Sequence, residues 1–223
     1  TFYFPQEGFD VTDGYLRFNG LDLKALIEKY GTPLKLTYLP KIGMQIQKAK
    51  KMFKEAFKKY KYEGNYYYCY CTKSSHFAFV VEEALKHEIH LETSYAYDIE
   101  IINRLYEKRK ITKDIHIICN GFKQKGYTSR IARLLNSGFK NVIPILDNKE
   151  ELDAYRRSVK VPFKLGIRVA AEEEPTFPFY TSRLGMRARD ILEFYVDKIE
   201  GNENKFQLKM LHIFLNQGIK DDI

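Results

Sequence analysis

A lysine stands just beyond a strand-like run of aromatic and sulfur-bearing residues. Residues 66–71 read YYYCYC, and Lys73 follows after one threonine, ahead of two serines and a histidine. In parallel α/β proteins, reacting groups gather at the carboxyl ends of the strands. A dry, aromatic surround would weaken the preference of this amine for its charged form, so that it could attack a carbonyl and form a Schiff base. The alternative is a strand-end lysine that reaches solvent, which is where most lysines lie.

Three cysteines limit the disulfide and metal chemistry of the chain. Cys69, Cys71 and Cys119 are odd in number and include no C-x-x-C pair, which favours reduced thiols in a cytosolic setting over a disulfide framework. Cys69 and Cys71 lie two residues apart on the strand-like run, so we expect them to share one face. A C-x-C pair without a second pair is a weak metal signal, and we expect no metal site there.

The composition and the apolar pattern predict a folded domain without a membrane span and favour a chain that does not bind nucleic acid. Of the 223 residues, 44% are hydrophobic and 15% aromatic, which is enough for a sizeable core. No apolar run approaches about 18 residues, and the start does not resemble a signal peptide. The net charge is +8, much of it in residues 48–61. Apolar residues recur there at helical spacing, so an amphipathic helix with a solvated lysine face is favoured, and a basic helix that binds RNA or an acidic substrate is the alternative.

Strand-like and helix-like segments alternate at a spacing of roughly 25 residues, which is the sequence sign of parallel βα units. The predicted strands are 33–39, 66–71, 89–94, 115–120, 141–146, 163–170 and 207–215, and the predicted helices include 48–61, 79–88, 98–108, 128–138 and 147–157. Thr128 is expected to cap the start of its helix and Gly138 to end it. A (β/α)8 barrel and a doubly wound sheet both fit this order. No G-x-G-x-x-G follows any strand, which weakens the dinucleotide-binding version.

An eight-unit barrel typically needs about 250 residues, whereas this chain ends just beyond its seventh predicted strand. We therefore expect either that the eighth unit is missing or that one strand is counted too many. Residues 1–32 do not resemble barrel sequence, because YLRF (15–18) is strand-like and the following helix, LDLKALIEKYG (21–31), closes at Gly31.

Several short motifs resemble those of one enzyme family in their order and spacing. They are YGTPL, a strand that leads to Lys73, then HLETS, ICNGFK, GIRVAA and SRLGM. Together they resemble the alanine-racemase-like, pyridoxal-phosphate-dependent decarboxylases of the ornithine, diaminopimelate and arginine class, and ICNGFK is most similar to the arginine branch. No single motif is strong, but the ordered series covers about residues 11–220. The resemblance implies a partial (β/α)8 TIM barrel of the alanine-racemase-like type.

The resemblance gives roles to individual residues. Lys73 matches the lysine that carries pyridoxal phosphate, and Cys71, on the same strand, is a further candidate for binding the cofactor. Glu92, in HLETS, matches the acidic position on the third barrel strand, near the cofactor. Arg168, in GIRVAA, matches an arginine that points toward the cofactor, and an ion pair with Glu172 or Glu173 is the equally weighted alternative.

The seventh predicted strand departs from the family pattern. The family has Phe-His-x-Gly-Ser, whose histidine stacks on the cofactor ring, and Phe214 stands in the place of that histidine. A phenyl ring can stack, but it cannot donate a hydrogen bond or carry charge. His212 lies two residues earlier and shares its face, so it could substitute in part. The favoured interpretation of His212 is nevertheless an inward-facing structural residue.

The resemblance also implies that these residues are the amino-terminal part of a larger enzyme. In the family, the carboxylate for the pyridine nitrogen, the glycine-rich phosphate loop and a second β domain all follow the seventh strand. The expected domains are residues 1–32, which would pair with the missing β domain, and residues 33–223, a cofactor-binding barrel truncated before its last strand. We expect this length of chain to be inactive by itself.

The expected activity is decarboxylation of a basic amino acid, most simply L-arginine to agmatine in polyamine biosynthesis. The alternatives are another substrate (diaminopimelate, ornithine, lysine or carboxynorspermidine) or a non-catalytic relative that binds a partner. A cytoplasmic homo-oligomer, a dimer or larger, is implied by the family. Magnesium is a further candidate cofactor, since arginine decarboxylases of this branch often use it, although no ligand cluster in the sequence shows it.

Overall fold

The computed structural model describes residues 7–170 and 184–214, and the chain divides into two compact units, Thr1–Leu39 and Pro40–Ile223. The first unit is a small antiparallel sheet followed by a helix. Its strands are β1 (Phe9–Thr12), β2 (Tyr15–Phe18) and β3 (Leu21–Asp22), and its helix is α1 (Leu23–Tyr30).

The local sequence explains the turns and the helix ends of this first unit. Asp13-Gly14 and Asn19-Gly20 join the strands, and all four residues have positive φ, as two-residue hairpin turns require. The Asp22 carboxylate accepts a hydrogen bond from the Ala25 N–H at 3.0 Å and so caps α1. The strand at 15–18 and the helix that ends at Gly31 are therefore confirmed.

The second unit is a six-stranded parallel sheet with helices between its strands. The strands are β4 (Cys69–Cys71), β5 (His90–Thr93), β6 (His116–Cys119), β7 (Asn141–Leu146), β8 (Phe163–Val169) and β9 (Phe206–Ile213). The helices are α2 (Pro40–Tyr60), α3 (Ala78–Leu85), α4 (Ala96–Glu107), α5 (Lys125–Asn136), α6 (Glu151–Ser158) and α7 (Ala188–Phe194), which continues into a π-helical turn, Tyr195–Ile199.

The strand order decides between the two folds that the sequence leaves open. Each strand pairs in parallel with the next one along the chain, in the order β4 to β9. Because crossovers between parallel strands are right-handed, a sequential order places the helices on one face, as in a barrel, rather than on both. The arrangement is that of a partial TIM-barrel sheet.

The hydrophobic core lies on the helix face of this sheet. Helix residues such as Ile46, Ile99, Ile131 and Tyr155 pack there against alternate residues of the strands, including Leu91, Ile117, Leu165 and Ile167. On the opposite face, the described residues form a small apolar cluster, Ile118, Ile143 and Ile145, with Cys69 and Met210 against it. The remaining described side chains of this second face are mostly polar, and such groups can bind a ligand or take part in a reaction.

The prediction of a first barrel strand at residues 33–39 is wrong. None of its residues pairs with another strand among the described residues, Leu34 and Leu36 are exposed, and Pro33 has no N–H to donate. Alternating apolar residues predicted a half-buried strand, but a strand also needs a hydrogen-bonded neighbour.

Helix starts also differ from the prediction. α5 begins at Lys125, so Thr128 does not cap it; its hydroxyl instead donates back to the Gln124 carbonyl within the first turn, at 3.4 Å. The end is as predicted, because Gly138 follows with a φ of 91° and its N–H donates to the Leu135 carbonyl. Within the described ranges no helix is long and apolar enough to cross a lipid bilayer.

Candidate functional site

The face of the parallel sheet that lies away from the helices carries three layers of side chains. At the amino ends of the strands are His90, His116, Asn141 and Lys164, and the apolar cluster of Ile118, Ile143 and Met210 forms the middle layer. At the carboxyl ends lies a group that we call the polar edge: Cys71, Glu92, Asn120, Lys123, Arg168 and His212. The polar edge occupies the position where α/β barrels carry their reacting groups.

Lys73 lies at this end of the sheet, in a single 3₁₀ turn, Thr72–Ser74, directly beyond β4. The turn is fixed to β5, because the buried Thr72 hydroxyl donates to the Glu92 carbonyl at 3.1 Å. The Lys73 side chain is exposed to solvent in the part of the chain that the structure describes. The prediction of a dry, aromatic surround is therefore wrong there. The amine stands close enough to the polar edge for its charge to lower the pKa of Cys71, although burial and Glu92 raise that pKa overall.

Glu92 is the centre of the polar edge. It is half-buried on β5, beside Cys71 on β4 and Ile118 on β6. Its Oε1 atom accepts hydrogen bonds from Asn120 Nδ2 at 3.2 Å and from the Cys71 thiol at 3.7 Å. Two donors, one on β4 and one in the turn directly after β6, therefore fix the direction of this carboxylate.

The ICNGFK segment forms a tight turn after β6, which we call the 120–123 turn. Asn120 reaches back to Glu92, and Gly121 has a φ of 83° and packs so closely on Ser94 that a Cβ would lie 2.5 Å from the Ser94 carbonyl oxygen. Lys123 Nζ donates to the Gly121 carbonyl at 2.5 Å and to the Ile145 carbonyl at 2.8 Å. The turn thus joins the carboxyl ends of β5, β6 and β7.

Arg168 is held at the carboxyl end of β8 by Gly185 and Met186, which belong to the SRLGM motif. Met186 pairs with this strand end: its N–H donates to the Arg168 carbonyl at 2.8 Å, and its carbonyl accepts from the Ala170 N–H at 2.9 Å. Gly185 permits this approach, since its φ is 93° and a Cβ there would lie 2.8 Å from the Arg168 oxygen. The alternative partners Glu172 and Glu173 lie outside the described residues.

His212 and Phe214 stand beside Arg168 at the same end of β9. His212 is the parallel partner of Arg168 in the sheet, and burial lowers its pKa, with Glu92 acting in the opposite direction. Its Nδ1 atom is buried and has no hydrogen-bond partner among the described residues. The Phe214 ring is exposed, and its centre lies 5.8 Å from the Arg168 guanidinium carbon, so the phenyl ring that stands in place of the family's histidine forms a cation–π pair with Arg168.

Sequence reasoning missed two residues of this site, Asn120 and Lys123. ICNGFK resembles a family branch, but the polar side chain and the lysine directly after its buried strand are also a signal for a site at that strand end. Burial lowers the pKa of Lys123, while the nearby Glu151 carboxylate opposes that shift. The Glu151 pKa is raised by its own burial. Each of the two charges therefore offsets part of the pKa shift that burial causes in the other group.

The polar edge carries part of the chemistry that the resemblance implies for a pyridoxal phosphate site. A primary amine, Lys73, stands at the edge that also carries a fixed carboxylate, a guanidinium and an imidazole nitrogen without a hydrogen-bond partner in the described part of the chain. The amine can bind an aldehyde, the carboxylate can bind a ring substituent, and the guanidinium can bind an acidic oxygen. Across the described ranges, no three His, Cys, Asp or Glu side chains converge as a metal-ligand set, and we assign no magnesium site.

Comparison with curated proteins finds distant relatives that share most of this chain. The biosynthetic arginine decarboxylases of Bacteroides thetaiotaomicron and Phocaeicola vulgatus are each 23% identical over 216 residues, which is 89% of this chain and 33% of theirs. That of Shewanella piezotolerans is 26% identical over 182 residues. The chain thus spans about a third of the length of the curated relatives it matches. No family model matches it.

Solved structures with the same fold include two proteins of low sequence identity. Diaminopimelate decarboxylase from M. jannaschii, in co-complex with L-lysine, has a TM-score of 0.73 over 93% of this chain and 47% of its own, at 15% identity. AQ1208 from Aquifex aeolicus has a TM-score of 0.68 over 92% of this chain and 44% of its own, at 17% identity. The chain therefore has a fold like that of the ornithine, diaminopimelate and arginine decarboxylases, and the resemblance drawn from the sequence motifs is confirmed.

Proposed function

We propose that the protein carries out pyridoxal-phosphate-dependent decarboxylation of a basic amino acid, with L-arginine as substrate and agmatine as product. The observation that carries the proposal is an exposed Lys73 amine at the same strand ends as Glu92 and Arg168. The relatives named biosynthetic arginine decarboxylase support the substrate. Bound pyridoxal phosphate supplies an electron sink for the bond that breaks when carbon dioxide leaves.

The residues of the site have separate tasks in this proposal. Lys73 would hold the cofactor through its amine, and its exposed side chain leaves the nitrogen accessible to an aldehyde. Glu92 would present a fixed negative charge, because Asn120 and Cys71 set its direction. Arg168 would bind an acidic oxygen, since a guanidinium donates several hydrogen bonds and stays charged. His212 would donate or accept a proton at its free Nδ1 atom.

A second substrate has its own support. The M. jannaschii structure that shares this fold is a diaminopimelate decarboxylase, so diaminopimelate is the next candidate. Ornithine, lysine and carboxynorspermidine follow it. Release of carbon dioxide from each carboxyl-labelled amino acid would rank them, and we expect L-arginine to give the highest rate.

The proposal is tested by removing the Lys73 amine. In the full-length protein, we expect Lys73→Ala to lose at least about 10³-fold in decarboxylation, because the covalent anchor and its amine chemistry are gone. Lys51→Ala is a matched control: its side chain is 78% exposed and pairs weakly with Glu55 on α2. A Lys73→Ala protein that releases carbon dioxide at the normal rate would show the assignment to be wrong.

Three further parts of the proposal come from the resemblance. We propose that the protein acts in the cytoplasm, in polyamine biosynthesis, as a homodimer or larger homo-oligomer. We also propose that residues 1–32 pair with a β domain that belongs to the remaining two thirds of the relatives' length. Analytical ultracentrifugation of the full protein tests the assembly, and a monomer at micromolar concentration would contradict it.

A further inference from the structure

We infer that Lys123 is a positioning residue for Glu92: it fixes the 120–123 turn, and the turn fixes the carboxylate. The inference rests on the proposed function in one respect, namely that Glu92 serves a cofactor site. The contacts that carry it do not depend on that function.

The first step is the anchoring of the turn by Lys123. Its ammonium donates to two backbone carbonyls, Gly121 within the turn and Ile145 at the end of β7, and lies 5.5 Å from the centre of the Tyr127 ring. Charged donors make stronger hydrogen bonds than neutral ones, particularly where burial limits competition from water. Lys123 thus joins the turn to a neighbouring strand that carries buried residues on both faces.

The second step is the close packing of the turn on β5. Gly121 leaves no room for a Cβ against the Ser94 carbonyl, and the Asn120 N–H donates to the Thr93 carbonyl at 2.9 Å. The turn is therefore held from two sides, by Lys123 toward β7 and by its own backbone toward β5. We therefore expect loss of the Lys123 hydrogen bonds to change the position of Asn120.

The third step is the transmission from Asn120 to Glu92. Asn120 is 8% exposed, and its side-chain amide donates to Glu92 Oε1. The Cys71 thiol donates to the same oxygen, and the Glu92 charge contributes to the raised pKa of that thiol. The reactivity of Cys71 therefore reports the position of the Glu92 carboxylate without any cofactor.

The experiment measures alkylation of Cys71 by iodoacetamide in the apoprotein. A Cys69→Ser background leaves Cys71 and Cys119, which mass spectrometry distinguishes on separate peptides. Cys119 is 0% exposed and lies on the helix face, so its labelling reports global unfolding. We expect Lys123→Met to speed labelling of Cys71 by about threefold or more with Cys119 unchanged, because a displaced Glu92 no longer holds the thiol protonated.

Two variants serve as controls. Lys125→Met makes the same substitution at an exposed lysine two residues further on, and the wild-type rate is expected. Lys123→Arg keeps a charged donor that can reach both carbonyls, and most of the wild-type protection should return. If Lys123→Met does not fold, Asn120→Ala tests the same chain of contacts from its other end, with the same expected rise.

The outcomes separate this inference from the proposed function. An unchanged Cys71 rate in Lys123→Met, or in Asn120→Ala when that variant is needed, overturns the positioning role. Equal acceleration of Cys71 and Cys119 overturns it as well, because the lysine would then only stabilise the fold. Failure of the wild-type protein to bind pyridoxal phosphate would count against the proposed function and would leave the thiol result standing.

Discussion

Two glycines set how closely the backbone approaches the strand ends of the site. Gly185 and Gly121 both have positive φ, and in both a Cβ would meet a carbonyl oxygen of a strand end within 3 Å. The motifs SRLGM and ICNGFK therefore contain glycine for a steric reason, in addition to any resemblance. Each glycine brings a segment against the backbone that carries Arg168 or Glu92.

We predict that Gly185→Ala lowers the free energy of unfolding by about 1–3 kcal/mol more than Gly201→Ala does. Both glycines have positive φ, but nothing lies within 4 Å of a Cβ at Gly201, whereas three backbone atoms lie within 3.0 Å of one at Gly185. The difference therefore measures the steric term alone. Urea denaturation of the two variants checks it, and equal losses would mean that the segment around Gly185 relaxes freely.

For individual residues, the sequence predicts which side chains lie at the candidate site but not what surrounds them. Lys73, Glu92, Cys71, Arg168 and His212 lie at one end of the sheet, because each follows or ends a strand that the pattern identified. Their roles stay predictions. The exposure of Lys73 and the links from Lys123 could not be foreseen, because they depend on contacts between loops that are distant in sequence.

Among the elements, α4 shows how a buried charge organises a strand-to-helix connection. Asp98, in its first turn, is 1% exposed. Its carboxylate accepts from the Ser94 N–H at 2.8 Å and from His76 Nε2 at 2.9 Å. The first bond closes the β5–α4 loop, and the second joins this loop to the β4–α3 loop.

Asp98→Ala is expected to cost about 1–3 kcal/mol of folding free energy, because it leaves the partly buried Ser94 N–H without this acceptor. Asp153→Ala is the control: this aspartate also lies in the first turn of a helix, but its side chain is 64% exposed, so a change within about 0.5 kcal/mol is expected. Chemical denaturation measures both. A loss for Asp98→Ala no larger than the control would show that Asp98 does not hold the loops.

The hydrophobic periodicity predicts where the helices and strands lie better than it predicts which of their side chains are buried. The basic helix exists, but it begins at Pro40, and Met52, Phe53 and Tyr60 of its predicted apolar stripe are 60%, 45% and 72% exposed. Helical spacing identifies a stripe, whereas tertiary neighbours decide how much of it is covered. The failed strand at 33–39 has the same cause, because pairing is not visible in local sequence.

For the molecule as a whole, the sequential order of the strands is the property that gives the sheet two different faces. One face packs on the helices, and the other carries polar layers at both ends of an apolar middle. Alternation of strands and helices predicted parallel pairing. The sequential order could not be read from that pattern, because a doubly wound sheet has the same alternation.

We predict that the histidines at the amino ends of the strands make stability depend on pH. Burial lowers the pKa of both His90 and His116. The positive charges of Lys50, near His90, and of Lys164, near His116, lower these pKa values further. The Tyr67 ring packs against both imidazoles, and Lys164 donates a hydrogen bond to Asn141. Because the unfolded chain binds protons first, stability should fall once the pH drops below about 6.5 and continue to fall until the folded-state pKa is passed.

Thermal unfolding at pH 7.5 and pH 5.5 tests this prediction. The double variant His90→Gln, His116→Gln should lose less stability between these two pH values than the wild-type protein. His76→Gln is the control, because that histidine belongs to the other end of the sheet. An identical pH dependence in the double variant and the wild type would exclude the two histidines as the source.

The central claim is that the amine of Lys73 binds the cofactor, and borohydride trapping tests it most directly. The full protein is incubated with pyridoxal phosphate, reduced, digested and mapped by mass spectrometry. We predict a stoichiometric pyridoxyl group on Lys73, while the partly buried Lys123 stays unmodified because its amine already donates to two carbonyls. A label on other lysines with none on Lys73 would contradict the account.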